Sequence, residues 1–312
     1  MPMKFGRAYC EELQEPISSY KAREIYTDED DERFGKRLTF SCEDCVCRAR
    51  LTAVGVYMPR KSKRALHFRS LEDHVPECGF LRGNATRGAD RGDGRQEDDF
   101  KITQFPTELD LTPRRRTRAG AKPSASTESS DGSAPGRGRD VNGESVSRRR
   151  TSTRTRYLDY VVDCFLSGDE DSKKKDFTVA GKTKAFRQFF KRIRYFQDEQ
   201  GLIYYGAIDK LKVYKNKGVG LRFVEYIWSG ERKQRVWAYI PQEHIDGSSR
   251  RRAFLAEMQE LESAMAAKEV VEAYFVGAYP QLEIIQRDDG KAFESYKAEL
   301  SRVDHISLRF AK

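Results

Sequence analysis

At residues 40–47 the chain has the sequence FSCEDCVC, and at residues 74–78 it has HVPEC. These two short stretches hold four of the six cysteines and one of the four histidines. Thiol and imidazole side chains clustered in this way, in a chain without a visible secretory signal, indicate metal binding rather than disulfide bonds. The two stretches therefore predict that the N-terminal fold is organised around a metal site.

The predicted ligands form two pairs that lie far apart in the chain. A tight turn can present Cys42 and Cys45 to one ion, and the start of a helical turn can do the same for His74 and Cys78. Thiolate and imidazole donors in a tetrahedral set favour Zn²⁺ over Mg²⁺ or Ca²⁺. Four protein ligands leave no position for water, so the predicted zinc site is structural and has no catalytic residues.

Two nearby side chains complicate this ligand set. His67 is an alternative to His74 as the fourth ligand. Cys47 is predicted to be a bystander, because three donors within residues 42–47 would be crowded. Buried free cysteines are the plain alternative to a metal site, since unpaired cysteine is often buried.

The same segment resembles the N-terminal zinc module of competence CoiA-like bacterial proteins. The resemblance consists of a paired cysteine knuckle, a His-Phe motif and a later His/Cys pair: Cys42, Cys45, His67, Phe68, His74 and Cys78. The chain departs from the family pattern at Ser70, where the family often has a second histidine. The resemblance covers about 40 of the 312 residues and implies an association with DNA uptake and nuclease-type partners.

Composition divides the chain into three regions. Residues 1–81 are predicted to form the zinc-binding β module, and residues 82–150 a disordered basic linker with too few apolar residues to fold. A short apolar run at residues 100–111 is the part of this linker that can dock as a linear motif. Between residues 112 and 156 there are twelve basic and four acidic side chains, a net charge of +8 out of +9 for the whole chain.

Residues 151–312 are predicted to form the second folded region. Residues 157–166 are predicted to form a buried strand, with a short helix as the alternative, and residues 183–196 have the apolar spacing of a basic amphipathic helix. Strands follow at 202–214, 219–228 and 235–240, then a helix at 249–267 and strands at 269–279 and 305–310. A polar turn lies at Asp289-Gly290. Three strands, a helix and two strands are typical of the oligonucleotide-binding (OB) barrel, so the predicted class is α+β with an OB-like C-terminal domain.

Aromatic and basic side chains alternate along the predicted strands. OB barrels bind single strands through aromatic platforms and a basic groove. The predicted nucleic-acid contacts are Tyr204, Lys212, Tyr214, Arg222, Tyr226, Trp228, Arg235 and Trp237. The alternative is that these aromatic rings are core and the basic side chains a solvated face. Arginine runs at residues 114–116 and 148–150 would add phosphate attraction that weakens with salt.

The sequence favours a binding protein over an enzyme. It contains no Gly-rich phosphate loop, no Gly-x-Ser-x-Gly and no His-Glu-x-x-His. We therefore expect a cytoplasmic, bacterial nucleic-acid-binding protein, with a role in DNA processing or mobile-element defence. Single-stranded DNA is the favoured partner and RNA the alternative; no membrane is expected as a partner, because no apolar run approaches the ~18 residues of a membrane span. A nuclease or other DNA-processing enzyme is the second hypothesis, and an adaptor that binds protein partners is the third.

Overall fold

The computed structural model describes residues 4–57, 65–79, 102, 105–112, 154–197, 199–229, 231–286 and 292–310. Strands are the main regular structure among these residues and helices are few, so the α+β class is confirmed. Within the described ranges, none of the helices combines the length and the hydropathy that crossing a bilayer requires. The predicted arginine runs and the Asp289-Gly290 turn lie outside the described residues.

The N-terminal region is a six-stranded antiparallel sheet with one helix. Its strands are β1 (Lys4–Phe5), β2 (Arg7–Cys10), β3 (Glu15–Ser18), β4 (Phe40–Ser41), β5 (Arg50–Val54) and β6 (His67–Ser70), in the order β1-β6-β5-β4-β2-β3. Helix α1 (Ser19–Thr27) follows β3 directly, and the Ser18 side chain accepts a hydrogen bond from the Lys21 backbone N–H, so it caps the helix. Phe40, Leu51 and Phe68 form the centre of a small apolar core under this sheet.

A second, four-stranded sheet contains part of the predicted linker. Its strands are β7 (Glu108–Leu109), β8 (Arg154–Thr155), β9 (Asp176–Val179) and β10 (Lys182–Ala185), in the order β10-β9-β7-β8. Leu109 is buried in the C-terminal core, and the ring of Phe105 packs edge-on against Phe186. The apolar run predicted at residues 100–111 as a segment that can dock therefore packs against the C-terminal core at Phe105 and Leu109, and residues 108–109 form a strand there.

Two predicted elements between residues 157 and 196 have a different backbone from the one expected. Residues 157–166 mostly form helix α2 (Leu158–Ser167), which is followed by α3 (Glu170–Lys173). The predicted helix at 183–196 is wrong. The end of β10, a 3₁₀ turn (Phe186–Phe189), strand β11 (Phe190–Arg192) and a second 3₁₀ turn (Ile193–Tyr195) replace it.

The largest sheet forms a half-barrel. It contains β12 (Ile203–Tyr214), β13 (Gly218–Ser229), β14 (Arg232–Pro241), β15 (Val271–Phe275), β16 (Gln281–Gln286), β17 (Ala292–Glu299) and β18 (Ile306–Phe310), in the order β16-β17-β14-β13-β12-β15-β18. Helices α4 (Gln242–Asp246) and α5 (Arg251–Ala266) connect β14 to β15. Helix α5 confirms the helix predicted at 249–267, and β12 to β14 confirm the three-strand meander.

The strand pairing differs from the predicted five-strand order. The hairpin of β16 and β17 was not predicted, and β17 pairs in parallel with β14. Strand β12 is shared: residues 204–207 pair with β15, residues 203–205 pair with β11, and residues 208–214 pair with β13. Within the described part of the chain the sheet ends at β16 and β18, and the OB-like assignment is not confirmed.

Helix α1 joins the N-terminal region to the half-barrel region through polar contacts. The Tyr20 hydroxyl donates to an Asp163 carboxylate oxygen at 2.5 Å, and the Tyr157 hydroxyl donates to Glu24 at 2.6 Å. On the side of α5, the Arg23 guanidinium pairs with the Glu257 carboxylate at 2.9 Å. These contacts place α1 between α2 and α5.

Arg309 on β18 is the buried cation beneath this joint. Its side chain is fully buried, and its guanidinium donates to carboxylate oxygens of Asp163 and Asp159, each at 3.0 Å. The Asp163 side chain is also fully buried. Because Tyr20 donates to the same Asp163 carboxylate, the pair links β18, α2 and α1.

We expect Arg309→Met to destabilise the protein by about 3–5 kcal/mol, because it leaves the Asp163 carboxylate buried without a cation. Urea unfolding followed by circular dichroism measures the change. Lys174→Met is the matched control, since Lys174 forms an ion pair with Asp171 in which both side chains are mostly exposed, and a change within about 1 kcal/mol is expected. Equal effects of the two substitutions would contradict this role of Arg309.

Candidate metal centre

Two loops of the N-terminal region bring four metal-donor atoms together. Cys42 follows β4, Cys47 lies in the turn between β4 and β5, and His74 and Cys78 lie in the segment after β6. The donor atoms of these four side chains all lie within 4.8 Å of one another. The arrangement is a Cys₃His set that can hold a metal ion.

The distances within the set are short. The sulfur atoms of Cys42 and Cys78 are 3.8 Å apart. His74 Nδ1 lies 3.2 Å from the Cys47 sulfur and 3.4 Å from the Cys78 sulfur. The Phe5 ring packs against the imidazole with 5.1 Å between ring centroids, which helps to fix the orientation of His74.

The turn at residues 42–49 has the backbone hydrogen bonds that present Cys42 and Cys47 together. The N–H of Cys42 donates to the carbonyl of Ala49 at 2.8 Å, so the turn is closed at its base. The N–H groups of Cys47 and Arg48 both donate to the carbonyl of Asp44. Arg48 has a φ of 45°, in the left-handed region, and this turns the chain away from the donors and into β5.

Asp44 connects the two loops although it is not a ligand. Its carboxylate accepts the N–H of Val46 at 2.9 Å within its own turn. It also accepts the N–H of Gly79 at 2.8 Å, next to Cys78. These backbone donors, with Gly79 first, lower the pKa of Asp44. A charged carboxylate thus ties the Cys42–Cys47 turn to the His74–Cys78 segment.

The electrostatics of the four donors suit a cation at their centre. Burial raises the pKa of the Cys42 thiol to about 12, and the Cys78 and Cys47 thiols add to the effect. Burial also acts to raise the pKa of Cys47, but hydrogen bonds from the Ala49 and Val75 backbone outweigh it, and that pKa is lowered. Burial lowers the pKa of His74, so its imidazole is neutral at neutral pH. A bound cation would ionise the three thiols, because a coordinating thiol loses its proton.

The structure gathers three of the four predicted ligands and replaces the fourth. Cys42, His74 and Cys78 belong to the set, but Cys45 is exposed and lies outside it, and Cys47 takes the predicted place of Cys45. The physical reason is the turn, which bends around the Asp44 carbonyl and leaves the following residue at its exposed tip. The prediction that Cys47 is a bystander is therefore wrong.

His67 does not join the set. It lies on β6 opposite Val54, is buried, and has its Nδ1 2.9 Å from the carbonyl oxygen of Ala65. Of the two histidines considered as fourth ligand, the structure therefore places only His74 beside the cysteines.

Among the predicted nucleic-acid contacts, Tyr204 lies in the core. Its side chain is fully buried, its ring stacks on Phe275 with 5.5 Å between centroids, and its hydroxyl donates to the carbonyl of Glu199 at 3.1 Å. The prediction of Tyr204 as an exposed platform is wrong, because its ring packs against Phe196 and Phe275 on the covered face of the sheet.

The other seven predicted contacts share one face of β12, β13 and β14, which we call the meander face. Register places Lys210 opposite Arg222, Arg222 opposite Trp237, and Tyr226 opposite Arg235. Side chains two residues further along a strand point to the same side. The predicted contacts on the meander face are Lys212, Tyr214, Arg222, Tyr226, Trp228, Arg235 and Trp237.

Replacing Cys47 by Ser should weaken binding of a divalent metal more than about 100-fold, beyond the 10–100-fold loss typical of an outer-shell change. Cys45→Ser is the matched control and should leave the affinity unchanged, because its side chain is exposed. Co²⁺ titration followed by thiolate-to-metal absorption reports both stoichiometry and the number of thiolate ligands. Loss of binding in Cys45→Ser with retention in Cys47→Ser would overturn the assignment.

Replacing Asp44 by Asn should weaken metal binding about tenfold, because the loop-to-loop hydrogen bonds lose a charged acceptor. Competition with a chromophoric chelator measures this change. The neighbouring Glu43→Gln is the control, since among the described residues Glu43 forms an ion pair only with the half-exposed Arg7, at 3.6 Å. An Asp44→Asn protein with wild-type affinity would show that the two loops are held by the ligands alone.

The sequence contains a signal for both Cys47 and Asp44. Residues 42–47 offer three cysteines, and Asp44 is an acceptor at a position where turns often use one.

When the chain is compared with known proteins, no family model matches it and no curated protein matches it.

Proposed function

We propose that the Cys₃His set binds Zn²⁺ as a structural ion. Three thiolates and an imidazole are soft and borderline donors, which suit Zn²⁺ and do not suit Mg²⁺ or Ca²⁺. Two sulfur atoms bound to a tetrahedral zinc lie about 3.8 Å apart, and the sulfur atoms of Cys42 and Cys78 are 3.8 Å apart. The corresponding sulfur-to-nitrogen separation is about 3.6 Å, close to the observed 3.2 and 3.4 Å.

The surroundings of the set support a folding role for the ion. The apolar cluster around it is very small, with buried Cys42, Ala49 and Cys78 and the flanking Cys47 and Val75. Such a cluster contributes little hydrophobic stabilisation, whereas structural zinc contributes about 10–16 kcal/mol of apparent binding free energy in small modules. All four coordination positions are filled by side chains, so no position remains for a reacting water.

We further propose that the chain binds single-stranded nucleic acid on the meander face. The observation that carries this proposal is the row of outward aromatic rings paired with cations across β13 and β14. Trp228 is 63% exposed and Tyr226 is 39% exposed, unusual values for large rings at the surface of a sheet. The ammonium of Lys233 lies 5.0 Å from the Trp228 ring centroid, and the Arg235 guanidinium lies 4.0 Å from that of Tyr226.

The cations of this face divide into fixed and available groups. Arg222 donates two hydrogen bonds to the Asp209 carboxylate, at 2.8 and 3.1 Å, and Arg235 lies 3.5 Å from the same carboxylate. The Asp209 carboxylate therefore holds these two guanidinium groups in place and partly neutralises them, so they attract phosphate less than unpaired cations do. Lys212 and Lys233 form no ion pair with any described residue and remain available for phosphate.

Ring exposure favours single strands over duplexes. An exposed aromatic ring stacks on an unpaired base, and each stacked base contributes about 1–3 kcal/mol. In a duplex, the neighbouring base pairs stack on these base faces and cover them. DNA and RNA bases offer the same stacking surface, so the proposal covers both, with single-stranded DNA tested first and RNA second.

Fluorescence anisotropy of the full chain with a labelled single-stranded oligonucleotide tests this proposal. Trp228→Ala should weaken binding by roughly 5- to 150-fold, the equivalent of about 1–3 kcal/mol for one stacked base. Tyr195→Ala is the matched control, because Tyr195 is also 62% exposed and carries Arg194 4.6 Å from its ring centroid, but lies outside the meander.

The outcomes separate the competing functions. Equal losses in the two variants, or no binding by the wild-type chain, would contradict a binding surface on the meander face. Cleavage of the oligonucleotide in the presence of Mg²⁺ would favour the nuclease hypothesis instead. Binding of duplex as tightly as single strand would show that phosphate attraction, not stacking, dominates.

A further inference from the structure

One carboxylate, that of Asp209, contacts the cations of the meander face. Strands β12, β13 and β14 together contain six basic side chains and two carboxylates, those of Asp209 and Glu225. Glu225 accepts the backbone N–H of Arg194 at 3.1 Å and lies 3.7 Å from the Arg192 guanidinium, so these partners lie outside the three strands. Asp209 is therefore the carboxylate whose role on the meander face needs an explanation.

A β-bulge in β12 places Asp209 beside the arginines of this face. Ile208 pairs with Phe223 and Lys210 pairs with Arg222, so Asp209 is the extra residue on its strand. The Ile208 side chain remains in the core, whereas Lys210 is exposed. A bulge re-aims side chains, and this one removes Asp209 from the regular alternation of the strand. The position of the carboxylate is thus a specific feature of β12 and does not follow from regular pairing.

Two guanidinium groups converge on this carboxylate. Arg222 donates from Nε to one oxygen at 2.8 Å and from Nη2 to the other at 3.1 Å, and Arg235 Nη1 lies 3.5 Å from that second oxygen. The three side chains are between 26% and 33% exposed, so a ligand can reach them. Both arginines also lie beside aromatic rings, Arg235 at 4.0 Å from the Tyr226 centroid and Arg222 at 5.8 Å from that of Trp237.

An anion held by two guanidinium groups beside aromatic rings is the arrangement that a backbone phosphate requires next to stacked bases. Carboxylate and phosphate oxygens both accept the two parallel hydrogen bonds of a guanidinium fork. We propose that Arg222 and Arg235 form a subsite for one backbone phosphate, and that Asp209 is an internal competitor that closes this subsite in the free chain. The proposal rests on the proposed binding of single-stranded nucleic acid and adds a contact that regulates the affinity of the same surface.

Competition by the carboxylate lowers both the affinity and the salt dependence of binding. A phosphate reaches Arg222 and Arg235 only by displacing Asp209, and the displaced carboxylate stays nearby as a negative charge. The two arginines and Asp209 together therefore offer a net charge of +1 to the ligand instead of +2. Each phosphate that a protein neutralises on a single strand contributes about 0.7 to the salt slope of the affinity. Stacking on the aromatic rings does not depend on this charge.

Fluorescence anisotropy of the full chain with a labelled single-stranded oligonucleotide, at several salt concentrations, tests the role of Asp209. Asp209→Asn keeps the shape of the side chain but removes its charge. We expect the affinity to rise about tenfold, the difference between a charge-assisted and a neutral hydrogen-bonding group. The salt slope should steepen by about 0.7, for one additional neutralised phosphate.

Glu199→Gln is the matched control for the change in net charge. The Glu199 side chain is also 26% exposed and also holds two cations, with its carboxylate 3.4 Å from the Lys182 ammonium and 2.6 Å from that of Lys184. It lies outside the meander, so its replacement should leave the affinity and the salt slope unchanged. An equal gain in Glu199→Gln and Asp209→Asn would contradict the proposal, because the gain would then come from overall charge.

A second pair of variants does not depend on how well Asp209→Asn folds. In the otherwise wild-type chain, Lys233→Gln should weaken binding more than Arg235→Gln, because Asp209 partly neutralises Arg235 whereas Lys233 forms no ion pair with any described residue. In the Asp209→Asn chain, Arg235→Gln should cost more affinity than it does in the wild-type chain, while the cost of Lys233→Gln should stay the same. A loss from Arg235→Gln that equals or exceeds that from Lys233→Gln in the wild-type chain would contradict the competition.

The sign of the Asp209→Asn effect decides between competition and a purely structural ion pair. A lower affinity, with a circular dichroism spectrum like that of the wild type, would show that the carboxylate only orients the arginines and would overturn the proposal. Wild-type binding that depends on Trp228 but does not increase in Asp209→Asn would reject the competition alone. No binding by either chain would reject the nucleic-acid function of the meander face, and the subsite with it.

Discussion

The convergence of three thiols and an imidazole onto one point is the constraint on which the N-terminal region depends. Their donor atoms lie within 4.8 Å of one another, and ionised sulfurs at this distance repel unless a cation lies between them. Desolvation and the neighbouring thiols already raise the pKa of Cys42 to about 12. A bound ion would remove both penalties together and would close two loops that are separated by the β5–β6 hairpin. Asp44 then holds the loops in the same arrangement through backbone donors on each side.

This constraint extends to the rest of the molecule through helix α1. The helix follows the edge strand of the N-terminal sheet without an intervening loop, so its position depends on that sheet. On its far side, Tyr20 and Arg23 reach Asp163 and Glu257 of the C-terminal region. The buried Arg309 compensates the charge of Asp163. The Cys₃His cluster, the N-terminal sheet and the buried ion pairs are therefore connected through this joint, and polar contacts give the joint a defined geometry.

The sequence was sufficient where one physical rule dominates and insufficient where tertiary contacts decide. Helix α5 and the β12–β14 meander follow from apolar periodicity and turn residues. The spacing of Phe186 and Phe190 also identified buried side chains correctly, but the helix it predicted is absent, because Phe190 pairs in parallel with Ile203. Cysteine clustering located the candidate metal site, whereas the choice between Cys45 and Cys47 depends on how the turn bends around one carbonyl. Periodicity contains no information on such a bend.

The division of β12 between partners has a consequence for how the half-barrel opens. Its first residues are bonded to β11 and β15, and its last residues are bonded to β13. Separating β12 from β11 and β15, or separating it from β13, breaks backbone hydrogen bonds of a strand on which the other neighbours also depend. The amide protons in the middle of β12 should therefore exchange with deuterated solvent only when the whole sheet unfolds, and their exchange rate measures the global stability of the C-terminal region.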